Sequence, residues 1–273
     1  MTLNTKSFVM ASALMVALGY SCNKDRVVPY EELPAATAVE SAQDNKKSDA
    51  MYTHVYTVVH TEVSNVEDQA LKMENALDAD PCAVKTIEVD SVDKAHRFVK
   101  KLTIDYGTAG CTWDGRVRKG KIIIVKQGLL KTTGTKCYIT FENFYIDDCH
   151  IEGSATYEVG LTFKFDLIGG RITTPDNKVL AYETHRTMDV TFVGGVFKTY
   201  TSGTASGTNH LGESYTVTTT KPVLFEYGCD YAKEGTLLIT CTGKPDITID
   251  YGDGTCDDKS VVTIGGTKYK NTL

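Results

Sequence analysis

The chain has 273 residues, with 35 acidic against 29 basic side chains and a net charge of −6. Removing residues 1–21 removes Lys6 and takes the charge from −6 to −7, an acidic balance that excludes nucleic-acid binding through a basic footprint. The 23 glycines and 15 tyrosines are the vocabulary of strands and turns, and 8 cysteines suit an oxidising compartment better than a reduced one.

In chain order, the first predicted element is a signal peptide over residues 1–21. Lys6 is its only charge, and Phe8 to Leu18 is apolar apart from Ser12, too short a run to span a bilayer comfortably. Gly19-Tyr20-Ser21-Cys22 resembles the small-residue box before the modified cysteine of bacterial lipoproteins, in the loosened form common in Bacteroidota, with Leu18 one place early. The resemblance implies lipidation of Cys22, whose several acyl chains make a stable anchor. Residues 22–50 read as a lipidated tether rich in charge, Pro, Glu and Ala. Lys24-Asp25 only weakly resembles a surface-export signal, so an outer-membrane lipoprotein on either the periplasmic or the cell-surface face is expected.

Residues 51–81 are expected to hold a short strand and a short helix. Tyr52, His54, Tyr56 and Val58 alternate as in a strand. Ala70, Leu71, Met73, Ala76 and Leu77 recur at helical spacing, predicting a helix over Val66–Ala79 that Asp80-Pro81 stops.

From residue 82 to 273 the pattern is β. The clearest strand is Ile151 to Phe165, where Ile151, Ala155, Tyr157, Val159, Leu161, Phe163 and Phe165 share one side, with Gly160 as the place for a bend. Shorter alternating runs cover Val84–Val89, Phe98–Tyr106, Lys121–Lys126, Tyr138–Ile146, Val179–Phe192, Ser214–Thr220, Thr236–Thr242 and Ile247–Tyr251. Asp147-Asp148, Pro175-Asp176-Asn177 and Gly194-Gly195 punctuate them as turns. Short connections without helical crossovers predict a mainly β fold: an antiparallel meander, elongated or sandwich-like, with one short N-terminal helix.

A duplication organises this region. Leu102-Thr103-Ile104-Asp105-Tyr106-Gly107 followed by Cys111 returns as Ile247-Thr248-Ile249-Asp250-Tyr251-Gly252 followed by Cys256, with Cys82 and Cys229 upstream of the two copies. Each interval holds two strand-like runs. An antiparallel hairpin brings its outer ends together, which predicts the disulfides Cys82–Cys111 and Cys229–Cys256. Cys137, Cys149 and Cys241 are left, so at least one thiol stays free or pairs between molecules.

These stretches resemble a family of Bacteroidota envelope lipoproteins with repeated Thr-Ile-Asp-Tyr-Gly…Cys motifs. Ile104 to Gly107, Cys111, Asp114-Gly115-Arg116-Val117-Arg118-Lys119-Gly120-Lys121-Ile122-Ile123, Phe141-Glu142-Asn143-Phe144-Tyr145, Glu152-Gly153 and Thr248 to Asp257 carry the resemblance. It implies a lipidated N-terminus, a helical piece and a long β region, and brings no activity with it.

Several constellations were weighed for chemistry. Trp113, Arg116 and Arg118 are the candidate ligand contacts. The basic run Arg116, Arg118, Lys119 and Lys121 suits a phosphate or carboxylate, or else a solvated hairpin face. Trp113 suits a sugar, or a plug over the Cys82–Cys111 bridge. Asp250, Asp253, Asp257 and Asp258 lack the spacing of a calcium loop and read as solvated turns; Tyr251 to Thr255 resembles the loop of PKD-type modules, but too little chain follows it. The 6 histidines form no metal-binding pair, and no motif of a catalytic serine, zinc or nucleotide site appears, so neither catalytic residue, metal nor cofactor is expected. Asp90-Ser91-Val92 resembles a Bacteroidota O-glycosylation acceptor. The expected function is a non-enzymatic binding or structural platform, held to the membrane by its lipid and meeting a glycan or protein partner. The alternative is a glycan-acting hydrolase using carboxylates on the wet sheet face, which no motif would announce.

Overall fold

The computed structural model describes residues 38–70, 81–89, 99–128, 132–194, 196–226, 229 and 231–272. The signal peptide, Cys22, the first part of the tether, Leu71–Ala79 of the expected helix and Asp90-Ser91-Val92 lie outside these residues.

Residues 38–70 contain neither glycine nor proline and form one helix, α1 (Ala38–Ala70), of 33 residues. This corrects the expected boundaries: residues 38–50 are not tether, 51–62 are not a strand, and the helix is long, beginning well before Val66. The reason is the period. The buried positions Tyr52, Val55, Val59, Val63 and Val66 recur every three or four residues, while Gln43, Lys46, Ala50, Thr53 and Thr57 stay exposed. Thr and Val are poor helix formers, so it is burial of that stripe that holds the helix.

Fourteen strands follow in one open antiparallel sheet. They are β1 (Val84–Val89), β2 (Val99–Asp105), β3 (Cys111–Trp113), β4 (Arg116–Gln127), β5 (Lys136–Ile146), β6 (Cys149–Glu158), β7 (Phe163–Thr173), β8 (Val179–Val193), β9 (Val196–Thr208), β10 (Ser214–Glu226), β11 (Glu234–Cys241), β12 (Ile247–Asp253), β13 (Lys259–Ile264) and β14 (Thr267–Thr272). Each pairs with its neighbour in sequence, except that β2 passes over the short β3 to pair with β4. The meander is therefore unbroken from β1 to β14.

Register explains how one sheet makes a core. A single inner row crosses it: Ile87, Leu102, Ile124, Ile139, Ala155, Leu167, then Thr184, Ala205, Val217, Ile239, Ile247 and Ile264. The residues become small at Ala155, Thr184 and Ala205. An adjacent row on the other face carries Lys101, Val125, Tyr138, Thr156, Asp166, His185, Thr204 and Thr218, and it is wet. One face apolar and one polar is what a period of two dictates.

The run from Ile151 to Phe165 is two strands, β6 and β7, not one. Tyr157 pairs with Phe165 and Glu158 with Lys164, so odd residues face odd across the turn and the alternation passes through it undisturbed. Leu161, expected on the buried side, caps that turn fully exposed. Asp147 and Asp148, both at positive φ (48° and 61°), make the two-residue turn from β5 to β6.

Bulges curl the sheet. Register shifts follow one another at Lys119/Lys121, Thr140/Phe144, Glu152/Ser154 and Leu167/Gly170, a crease across β4 to β8. Gly120 (φ 77°) has no room for a Cβ, which would lie 1.8 Å from the Asn143 carbonyl oxygen. A second set of shifts at Thr218/Val223, Thr219/Lys221, Lys221/Leu224 and Glu234/Thr236 bends β9 to β12. The two wings thus rise on either side of α1, and β4 and β13, far apart in strand order, meet across the same cleft.

The first duplicated hairpin, β1–β2, is one end of the sheet, and the second, β11–β12, lies two strands in from the other. Val84 pairs with Asp105, and Cys82 and Cys111 are bridged with their Cα atoms 5.7 Å apart; Glu234 pairs with Asp253, and Cys229 and Cys256 are bridged at 5.9 Å. The repeated Asp-Tyr-Gly has one local role. Asp105 Oδ1 accepts the Gly107 N–H at 2.8 Å, and Asp250 Oδ1 accepts the Gly252 N–H at 3.0 Å, closing an Asx turn at the end of β2 and at the register shift near the end of β12. Cys137, Cys149 and Cys241 are buried and unbridged. Non-reducing peptide mapping is expected to recover both bridges, and replacing Cys229 and Cys256 together by serine is expected to cost roughly 3 kcal/mol. Recovery of a Cys82–Cys256 peptide would sink the duplicated hairpin.

Candidate ligand cleft

A solvent-open cleft of about 550 Å³ lies between α1 and the rising β10–β13 wing. The helix contributes the outer side of its stripe, Lys46, Asp49, Ala50, Thr53, His54 and Thr57, which follow one another at helical spacing. Opposite stand Phe225 at the end of β10, Tyr231 and Ala232 from the β10–β11 loop, Tyr251 of β12, and Asp257, Asp258, Lys259 and Ser260 at the start of β13; Arg116 of β4 closes one end. Behind this cleft is a chamber of about 50 Å³. It shares Asp49, Phe225 and Tyr251 as walls and adds Asn45, Arg186, Gly203 and Thr219.

Three charged side chains of the cleft, Asp49, Arg116 and Asp257, are taken up in pairs within the protein, while Lys46 and Asp258 line it with opposite signs. Arg116 Nη1 donates to Asp147 Oδ2 at 2.7 Å, Lys259 Nζ to Asp257 Oδ2 at 2.9 Å, and Arg186 pairs with Asp49, which also accepts from Tyr182 Oη at 2.8 Å. The hydrogen bonds from Lys259 hold Asp257 below the ordinary carboxylate range. Asp147 lies below it too: desolvation pushes up, but the Val117 N–H and Arg116 outweigh it. Partial burial lowers Lys46, with Asp258 opposing. Burial pushes the Tyr251 phenol up to about 12, so it remains a neutral donor.

The sequence-predicted contacts part company here. Arg116 lines the cleft. Arg118 does not: only 1% exposed, it lies 5.8 Å from the Tyr106 ring centre, donates to His54 Nε2 from Nε (3.0 Å) and Nη2 (2.6 Å), and grips both Asp114 oxygens at 2.6 and 2.8 Å. It is a tie between β4 and α1. Trp113 is 38% exposed on β3, and its carbonyl accepts from Arg118 Nη1 at 3.3 Å. The oxygens of Asp250 and Asp253 bind the N–H groups of Gly252 and Thr255. Lys46, Asp49, Thr53, Phe225, Tyr231 and Ser260 were not singled out by sequence. Helical spacing of the buried residues in 41–66 is the one signal that could have placed the first three.

Two of the buried uncharged polar groups without a partner line these cavities. Asn45 (4% exposed) and Ser260 (5% exposed) present Oδ1 and Oγ that bond to no described residue. One faces the chamber and the other the cleft. Comparison with protein-family models, curated proteins and solved structures finds no match.

Proposed function

We propose that this chain is an outer-membrane lipoprotein of the Bacteroidota type, anchored through Cys22, whose curled sheet is a non-enzymatic platform that receives a ligand in the α1–β13 cleft. The observation that carries this reading is the cleft itself. It is open, walled by three aromatic rings and polar side chains, and of a volume within the roughly 300–1,000 Å³ typical of small-molecule sites. The anchor in this reading is the lipid on Cys22, which rests on the Gly19-Tyr20-Ser21-Cys22 box.

The hydrolase alternative has less support. Glycoside hydrolysis wants a carboxylic acid whose pKa is raised so that it can donate a proton. Among the described residues the carboxyl groups displaced from their ordinary value, Asp147, Asp176, Glu213, Glu226, Asp253 and Asp257, are all displaced downward. Such groups serve as fixed acceptors.

Cys22→Ala is expected to move the protein from the membrane fraction to the soluble fraction. Unchanged membrane retention refutes the lipid anchor, and protease treatment of intact cells assigns the face on which the native protein sits.

A further inference from the structure

The geometry points to a short, uncharged saccharide as the ligand of this cleft. The inference rests on the reading of the cleft as a binding site and names what it takes. Three features converge on that chemistry. First, the charges largely cancel: Asp49, Asp257 and Arg116 each have an opposite charge in the protein as a partner, and the two remaining lining charges, Lys46 and Asp258, are of opposite sign and feel each other. A charged ligand of either sign would meet a like charge there as well as an opposite one. Second, the buried polar atoms left unmet along the two cavities are neutral. Asn45 Oδ1 needs a donor, and Ser260 Oγ can both give and accept. Buried polar atoms without partners are destabilising, and one on each of two cavities that share walls suits a ligand that brings hydroxyl groups. An acyl chain would leave both unsatisfied.

Third, the walls are aromatic. Phe225 is 38% and Tyr231 44% exposed, and Tyr251 lines both cleft and chamber. Ring faces present a negative quadrupole that suits the polarised C–H face of a sugar ring, while the sugar's edge carries the hydroxyls. A saccharide thus places its apolar face on Tyr231 or Phe225 and directs hydroxyls to Ser260 and, past Tyr251, to Asn45. A peptide would meet the rings, but its backbone would offer the narrow chamber no compact donor.

The test uses the full chain in a detergent free of sugar headgroups, applied to an array of immobilised neutral gluco-, manno-, galacto-, xylo- and N-acetylhexosamine oligosaccharides with sulfated and uronic-acid glycans beside them. Palmitate and hexa-alanine are titrated in parallel by thermal shift. The parent is expected to be retained on neutral glycans. Tyr231→Ala, at an exposed loop position, and Asn45→Leu are each expected to weaken that binding at least tenfold, with Asn45→Leu melting no lower than the parent. Retention on charged glycans alone, or neutral-glycan binding undiminished by both variants, overturns the proposal. Binding of palmitate or hexa-alanine that Tyr231→Ala abolishes, without glycan retention, overturns the saccharide and leaves the binding platform standing. No binding by any probe overturns both.

Discussion

Tyr52→Ala is expected to destabilise the chain by about 3–5 kcal/mol, the range for removing a fully buried aromatic side chain. Tyr52 is 1% exposed and stacks on Tyr182 of β8, ring centres 5.9 Å apart and planes 14° apart. Its hydroxyl donates to the Glu152 carbonyl at 2.6 Å, with the Arg171 carbonyl at 3.3 Å. Those two residues face each other across β6 and β7 beside the register shift at Glu152/Ser154. The sheet can bend there because glycines meet: a Cβ on Gly153 (φ 124°) would lie 2.9 Å from Gly170 Cα, and one on Gly170 would lie 3.0 Å from Tyr52 Oη. The ring therefore seats the helix in the crease that curls the sheet. Tyr52→Phe keeps the ring and is expected to cost only about 1–2 kcal/mol, from the unmet carbonyls. Urea midpoints of the parent and both variants check the pair; equal losses for Ala and Phe would show that the stack contributes nothing.

What the sequence made legible was whatever has a short period or a repeated register. The two hairpins could be read because each repeats a cysteine, an alternating strand and an Asp-Tyr-Gly at matched positions, and antiparallel geometry then fixes which cysteines meet. The Ile151–Phe165 pattern gave the right face but the wrong length, since a turn that keeps parity hides itself. β9 passed unseen because Thr-Ser-Gly-Thr-Ala-Ser-Gly (residues 201–207) has little apolar contrast, and its two neighbours supply the pairing. α1 misled in another way. Its buried stripe includes Ser41, Asn45, Ser48, Glu62 and Asn65, so hydrophobicity alone shows little helical period, while Tyr52 to Val58 mimics a strand. The cleft inherits that difficulty. One wall of it comes from α1 and the rest from separate strands and loops, and no local motif announces residues that only the curl of the sheet brings together.

The second tie between helix and sheet is expected to make the fold sensitive to acid well above the pH at which carboxylates titrate. Arg118 is buried between His54 of α1 and Asp114, and both contacts to His54 run from guanidinium donors to Nε2, so the imidazole must be neutral to accept them. Burial first, and the Arg118 charge second, hold the His54 pKa down at about 4 against an ordinary 6.5. His60, also on α1, is lowered by burial as well. Between these two pH values the unfolded chain binds more protons at His54 than the folded one. Stability therefore rises with pH across the window: it is complete above about pH 6.5 and falls as the pH drops toward 4, by about 3 kcal/mol from His54 alone. His54→Gln offers an amide oxygen that does not titrate, and it is expected to flatten that part of the profile while retaining most of the stability at pH 7.5. Arg118→Ala is expected to cost roughly 3–5 kcal/mol at neutral pH, as breaking a buried charged network does. Arg118→Lys is expected not to restore it, because one ammonium cannot reproduce the planar fork that spans His54 Nε2 and both Asp114 oxygens. Urea unfolding of the parent and the three variants at pH 7.5, 5.5 and 4 tests this. A parent whose midpoint stays constant between pH 6.5 and 4, or a His54→Gln variant that keeps the full slope, would show that the clamp does not depend on a neutral His54.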